Sequence, residues 1–246
     1  MKICIAQLKP VKGDITANVE AHKLFIDFAL TYKAEAIFFP ELSLTGYEPG
    51  LAKELATNQD DKRLDIFSEI SNGNNIIIGL GLPTEADAKA RISMIIVEPG
   101  KPRTSYSKIQ LHPDEFPYFD CGLEQILIQA NGTFIAPAIC YESLQVAHAD
   151  FAFKAGANVY IASVAKSANG VEKAFQYYPE IAKQYKMPVF MSNCVGFCDN
   201  FLSVGKSAVW TKEGKLAGQL DDNTEGILIF DTETEELTKR IINEYC

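Results

Sequence analysis

Ile135-Ala-Pro-Ala-Ile-Cys-Tyr-Glu-Ser143 is a short apolar run that stops at Cys140 and gives way to polar, turn-tolerant residues. Such a run, bounded by turn signals, reads as a buried strand that delivers one side chain to its carboxyl end. In open α/β sheets, ligands gather outside the carboxyl ends of strands, so the Cys140 thiol is a candidate nucleophile. The competing reading is a packed thiol, because free cysteine is among the most buried residue types and behaves as a small hydrophobe. The choice turns on whether other parts of the chain bring groups that activate the sulfur.

Strands and helices alternate on both sides of this run. Downstream, residues 143–156 read as helix, 158–163 as strand, 170–185 as helix and 189–194 as strand. Upstream, 2–8 reads as strand, 18–32 as helix with Val19, Leu24, Phe25, Phe28 and Ala29 near helical spacing, and 36–39 as a buried strand ended by Pro40. A helix over 61–72 and a strand over 75–79 follow. Three strand pairs are predicted, 92–97 with 104–108, 125–129 with 132–139, and 207–211 with 226–230, while 114–121 is a long aromatic loop. Alternation mixed with hairpins predicts mixed sheets. The strand–helix–strand order occurs before residue 80 and again between 135 and 194, without a Pro-, Gly- or Ser-rich linker. The expectation is one α/β domain over 1–246, with a core over about 1–231 and a polar, exposed tail over 232–246. Its two similar halves would pack sheet on sheet with helices outside, giving four layers.

Composition narrows the function. The chain has 246 residues, 47% of them hydrophobic and 22% charged, as in ordinary globular domains. A net charge of −9 and a pI near 4.9 argue against a phosphate-tracking nucleic-acid binder. No apolar run reaches the roughly 18 residues of a membrane-spanning helix, and Met1–Leu8 has neither the length nor the cleavage site of a signal peptide. The expectation is a cytoplasmic protein with no membrane partner. The six cysteines, at 4, 121, 140, 194, 198 and 246, form no regular framework and read as reduced thiols. Cys194 and Cys198 have no second pair and no nearby histidine, so no metal site is expected. Gly79-Leu-Gly81 follows a strand, but the third glycine of a dinucleotide fingerprint falls on Thr84, and that reading fails.

A thiol with a pKa near ~8.5 is mostly protonated at neutral pH and needs a base or a cationic neighbour to act as a nucleophile. None of the three histidines is well placed, although His112 lies close to Lys108. A carboxylate with an ammonium is the alternative. Glu41 stands directly after a buried strand and Pro40, and Lys108 ends another strand after Tyr106-Ser107. Three such residues at three strand ends are candidates for one site.

Pro40-Glu-Leu-Ser-Leu-Thr-Gly-Tyr47, Tyr106-Ser-Lys-Ile-Gln-Leu111 and Ile139-Cys-Tyr-Glu142 resemble the three signatures of the nitrilase (carbon–nitrogen hydrolase) superfamily, in its amidase-like branch. The resemblance runs from the first strand to about residue 230. It implies an αββα sandwich with two mixed sheets of about six strands each, homodimers or larger homo-oligomers, no cofactor, and a Glu–Lys–Cys triad. By that resemblance Glu41 is the base, Lys108 the electrostatic stabiliser and Cys140 the nucleophile. A second glutamate in the loop after the lysine matches Glu115 in Pro113-Asp-Glu-Phe-Pro117, with Asp114 as its neighbour and rival. The implied activity is hydrolysis of a non-peptide C–N bond in a small amide through a thioester, with the Tyr141 N–H and Lys108 holding the oxyanion. An N-carbamoyl amidohydrolase, an amine-accepting acyltransferase and a catalytically silent binding homologue are the alternatives.

The chain also departs from the family. Tyr141 stands where nitrilases resemble Cys-Trp-Glu, which favours amides over nitriles. The arginine that follows the nucleophile in the ω-amidase branch is missing from Cys140-Tyr-Glu-Ser-Leu-Gln-Val146. Lys166, in Ile161-Ala-Ser-Val-Ala-Lys-Ser-Ala-Asn-Gly170, ends another strand and is a candidate to bind an acidic substrate group in its place; otherwise it is a solvated loop lysine. Tyr47 and Phe116 are expected to wall the pocket.

Overall fold

A computed structural model describes residues 1–242. The chain runs β1 (Lys2–Gln7), α1 (Ile15–Thr31), β2 (Ala36–Phe38), α2 (Ala52–Leu55), α3 (Asp65–Asn74), β3 (Ile77–Glu85), β4 (Ala90–Val97), β5 (Thr104–Ser107), β6 (Ile128–Ala130), β7 (Thr133–Ile139), α4 (Val146–Lys154), β8 (Val159–Val164), α5 (Ala168–Tyr185), β9 (Val189–Asn193), β10 (Val195–Cys198), β11 (Phe201–Val204), β12 (Ala208–Trp210), β13 (Leu216–Gln219), β14 (Gly226–Asp231) and β15 (Leu237–Ile241). One sheet has seven strands in the order β15-β14-β1-β2-β3-β4-β5, and the other has six in the order β13-β12-β9-β8-β7-β6. Both are mixed: β1, β2 and β3 run parallel, as do β7, β8 and β9, and the flanking strands are antiparallel.

Side-chain alternation assigns the layers, because successive residues of a strand point to opposite faces. In β1, Ile3 and Ile5 join a central cluster with Phe38, Ile135, Ile161 and Phe190 from both sheets, which therefore pack face to face. Cys4 and Ala6 point the other way, among Phe25, Ile26 and Phe67 of α1 and α3. On the second sheet, Ala136, Ala138, Ala162 and Val164 face Ala174, Tyr178 and Ile181 of α5. The layers are thus helix, sheet, sheet, helix. Pro137 is tolerated inside β7 because β6 ends opposite Ile135, so no ladder partner is lost on that side.

Two expectations fail. The paired strand for 207–211 is β13, and β14 instead crosses to the first sheet between β1 and β15. β13 is a short, largely exposed strand with a weak pattern, so it was invisible beside the apolar β14. The exposed tail expected over 232–246 is also corrected: Leu237–Ile241 forms β15, the seventh strand, along the whole of β14. Its Thr238-Lys-Arg240 is polar because the strand lies on a sheet edge, where charged side chains guard unpaired backbone. Residues 243–246 of that tail lie outside the described residues. Among the described residues, no helix is long and apolar enough to cross a membrane.

Candidate active site

Glu41, Lys108 and Cys140 follow β2, β5 and β7 and meet at one end of the sandwich. β2 hands over to a tight turn in which Leu42 has φ of +51°. The turn is tied to β3: Leu44 N–H donates to Gly81 O at 2.8 Å, and Gly81 N–H donates to Ser43 Oγ at 3.3 Å. Gly81 must lack a side chain, because a Cβ would stand 2.4 Å from Pro40 O and 2.5 Å from Leu42 N. This close approach explains the glycine that resembled half of a nucleotide fingerprint. His22, buried in α1, joins its Nε2 to Ser43 Oγ at 2.9 Å, and burial drives its pKa down to about 3, so it supports the turn as a neutral ring.

Cys140 itself adopts φ of +47°. A non-glycine residue in the left-handed region carries strain that the surroundings must over-determine. They do so here. Cys140 N–H donates to Ser163 O at 3.0 Å, and Cys140 O accepts from Ser143 N–H at 3.2 Å and Ser143 Oγ at 2.5 Å. Beneath the turn lies Glu142, fully buried. Its Oε1 accepts from Ile139 N–H (2.8 Å) and Tyr106 OH (2.6 Å), and its Oε2 from Ile109 N–H (2.8 Å) and Gln110 N–H (3.2 Å). One carboxylate thus clamps the segment after Lys108 to the segment before Cys140. Sequence reasoning gives Glu142 no role; an acidic residue three positions after a largely apolar strand is the available signal.

The catalytic candidates form a compact charge cluster. Lys108 is 0% exposed and Glu41 and Glu115 are each 2% exposed. Lys108 Nζ lies 2.8 Å from Glu41 Oε1 and 2.7 Å from Glu115 Oε1. Glu115 Oε1 also accepts from Tyr47 OH at 2.9 Å, and its Oε2 accepts from His112 N–H at 2.7 Å. Asp114 instead points away, with its side chain 71% exposed. Burial works to neutralise Lys108, but the charges of Glu41 and Glu115 outweigh it and hold the ammonium well above its ordinary pKa. Burial pushes the Glu41 carboxyl up against the pull of Lys108, and the Glu115 charge adds to the push. Glu41 Oε2 is buried and has no hydrogen-bond partner among the described residues. The Cys140 thiol acts on Glu41 as a hydrogen-bond donor would and lowers its pKa. The thiol is pushed up to about 11 by burial and then by Glu41, with Lys166 and Lys108 pulling it back.

A cavity of about 250 Å³ opens over the sulfur, walled by Tyr47, Tyr141, Leu144, Lys166 and Phe201 and rimmed by His112 and Asp114. Lys166 is buried at 5% exposure, with its Nζ 3.8 Å from Cys140 Sγ, and is not a solvated loop lysine. The Tyr141 N–H makes no hydrogen bond to another described residue and follows Cys140 directly. Phe116, expected in the wall, is 52% exposed and outside it. Its place is taken by Phe201 from the β10–β11 ribbon, which the sequence reading missed because two four-residue strands around Asp199-Asn200 carry no long pattern. Among the described residues no cluster of His, Cys, Asp or Glu has metal-site geometry. Cys194 and Cys198 face each other as free thiols, with sulfurs 3.5 Å apart.

The fold is similar to that of the NitN amidase from Nesterenkonia sp. AN1, with a TM-score of 0.85, 21% identity, and coverage of 94% of this chain and 92% of that one. It is similar also to a cysteine-to-alanine variant of the amidase from Nesterenkonia sp. AN1 in complex with butyramide (TM-score 0.86, 20% identity, 96% and 92% coverage). In sequence, a glutamine-dependent NAD(+) synthetase of Aquifex aeolicus (strain VF5) is 27% identical over 238 residues, which are 93% of this chain and 41% of that protein. The chain spans about two fifths of the length of the curated relatives it matches. The carbon-nitrogen hydrolase profile matches residues 2–240. The protein is an enzyme of the carbon–nitrogen hydrolase family.

Proposed function

We propose that the protein hydrolyses the C–N bond of a small amide through a thioester on Cys140, releasing an acid and ammonia or an amine. The observation that carries this reading is the buried Glu41–Lys108 pair acting on Cys140, which lines the cavity together with Glu115, with Glu41 Oε2 buried and without a partner among the described residues. Glu41 Oε2 takes the thiol proton as Cys140 Sγ attacks the carbonyl carbon. The oxyanion that forms accepts from Lys108 Nζ and the Tyr141 N–H, each such donor contributing roughly 3–4 kcal/mol to lowering the barrier. The C–N bond then breaks, and Glu41 passes its proton to the leaving nitrogen. Glu41 next takes a proton from water, whose oxygen attacks the thioester; the C–S bond breaks and the thiol regains its proton. Glu115 holds Lys108 and Tyr47 in place beside this path. Splitting one hard displacement into two is the gain of covalent catalysis.

The small cavity supports a compact acyl group, and Tyr47 and Lys166 in its wall are the residues that meet it. The Lys166 ammonium fits a polar or acidic substituent. The butyramide held by the similar amidase and the glutamine dependence of the curated relatives support a primary amide with ammonia as leaving group. Homo-oligomerisation belongs to the same proposal: light scattering is expected to give a multiple of 27.2 kDa, and a monomer at all micromolar concentrations would refute it.

The test is turnover of a panel of small amides, carbamoyl compounds and nitriles. Cys140→Ala is expected to abolish turnover, and Glu41→Gln to do nearly so with an unchanged melting temperature. A Cys140→Ala protein working at the normal rate would end the assignment.

A further inference from the structure

The two lysines beside the nucleophile are partnered differently. Lys108 is held by two carboxylates. Lys166 is buried, makes no ion pair with any described carboxylate, and has the Cys140 sulfur, 3.8 Å away, as its side-chain contact. That contact is built in. The Lys166 N–H donates to Asn193 Oδ1 at 2.9 Å, and its carbonyl accepts from Asn193 Nδ2 (3.3 Å), Ser203 Oγ (3.2 Å) and Val204 N–H (3.2 Å). Gly170 leaves room for the aliphatic stem, since a Cβ there would stand 3.2 Å from Lys166 Cβ and 3.3 Å from its Cγ.

We propose that Lys166 is a further catalytic residue, the counter-cation that receives the Cys140 thiolate as the proton passes to Glu41. The proposal rests on Cys140 being the nucleophile. At rest the cluster holds two carboxylates, both on Lys108, and two ammonium groups, with Lys166 beside a neutral thiol. Moving one proton from Sγ to Glu41 Oε2 leaves the total charge unchanged and redistributes it: Glu115 keeps Lys108, and the thiolate takes Lys166. No buried cation is then left without an anion, and no anion without a cation. Without Lys166, the same transfer would move a negative charge from Glu41, 2.8 Å from Lys108 Nζ, to a buried sulfur with no ammonium of its own, and an uncompensated buried charge is the costly case. The influences on the thiol agree, because Lys166 is the stronger of the two lysines that oppose burial and Glu41. When the sulfur bonds to the carbonyl carbon its charge moves to the oxyanion. When the C–N bond breaks and Glu41 gives its proton to the leaving nitrogen, the charge is back on Glu41, so the Lys166 N–H bonds are released to the acyl group.

The test is the pH-resolved rate at which iodoacetamide, a neutral probe, alkylates Cys140, read from the mass of the Cys140 peptide in the full-length protein. An opposite charge at this range moves a pKa by roughly one to three units. Lys166→Met is therefore expected to slow alkylation at neutral pH by roughly 10- to 1,000-fold, and to lower kcat for butyramide and for succinamate alike. Lys166→Gln keeps a donor but no charge and is expected to match Lys166→Met, which also covers a Met variant that fails to fold. An unchanged alkylation rate in these variants would overturn the proposal. So would a Gln variant alkylated at the wild-type rate, which would make the role one of packing. A loss confined to KM for succinamate would make Lys166 a substrate anchor only and would overturn it too. Residual turnover by Cys140→Ala is a separate result and bears on the nucleophile, not on Lys166.

Discussion

Lys108 on the first sheet and Lys166 on the second are both buried ammonium groups at strand ends, and they are held in opposite ways. Lys108 is saturated by Glu41 and Glu115, 2.8 and 2.7 Å away, whereas the Lys166 ammonium has, among the described residues, only a thiol at 3.8 Å. The halves of the sandwich are alike in topology but not in charge: the first brings a carboxylate already engaged with a cation, the second a thiol beside a cation that has no carboxylate partner among the described residues. A buried ion pair contributes little net stability, but removing one partner strands the other. Each lysine therefore has its own expected signature, and the pair separates stability from reactivity.

The largest effect is expected at Lys108. Lys108→Met leaves two buried carboxylates uncompensated, so unfolding in urea should show a loss of about 3–5 kcal/mol at neutral pH, partly recovered on acidification as the carboxyls take up protons. Turnover should fall roughly 10³-fold or more, because the oxyanion loses a donor and its charge. Lys166→Met strands no carboxylate and should leave stability unchanged or raised. Equal destabilisation by the two variants would break the comparison.

A smaller effect is expected at Glu142, which joins the two halves by clamping Ile109 and Gln110 to Ile139. Burial lifts its carboxyl to about 7 from 4.5, against the donors that favour its charged form. A carboxyl raised in the folded state stabilises the fold when protonated. That contribution is full below about pH 4.5 and is lost as the pH rises through 7, a change of roughly 3 kcal/mol. Glu142→Gln should remove this pH dependence from urea titrations. It should also lower kcat by roughly 10- to 100-fold with little change in KM, since misplacing catalytic groups by up to about 1 Å costs as much as roughly 10²-fold. A Gln variant with wild-type kcat would show that the two strand ends hold their geometry independently.

What the sequence made legible follows the range of the interactions. Glu41, Lys108 and Cys140 could be read because each stands within three residues of a strand's carboxyl end, Glu41 and Cys140 after apolar runs that announce where they will stand. The choice between Asp114 and Glu115 could not: adjacent loop residues point in different directions, and only contact with Lys108 and Tyr47 selects Glu115. The burial of Lys166 was equally hidden, since it depends on Asn193 and Ser203 gripping its backbone from later elements. The sandwich emerged from the apolar strands and alternation, whereas β13 and β15 escaped because edge strands are short and polar on their open side.

The smallest predicted effect uses β15 as the control for the lysine comparison. Leu237 pairs opposite Phe230, packs against the core between the sheets, and covers Gly218, where a Cβ would stand 2.8 Å from Leu237 Cδ2. The side chain is only half-buried, so Leu237→Ala should cost about 1–2 kcal/mol in urea unfolding, below the range for a fully buried leucine. The strand lies on the edge of the first sheet opposite to β5, which leads to Lys108. Turnover and the alkylation rate of Cys140 should therefore both stay at wild-type values. A stability unchanged by Leu237→Ala would mean that 237–241 behaves as the frayed tail its composition resembles. A fall in alkylation rate would mean that the charge balance at the sulfur depends on the rigidity of the whole sandwich, and that the contrast between Lys108 and Lys166 is not local to the site.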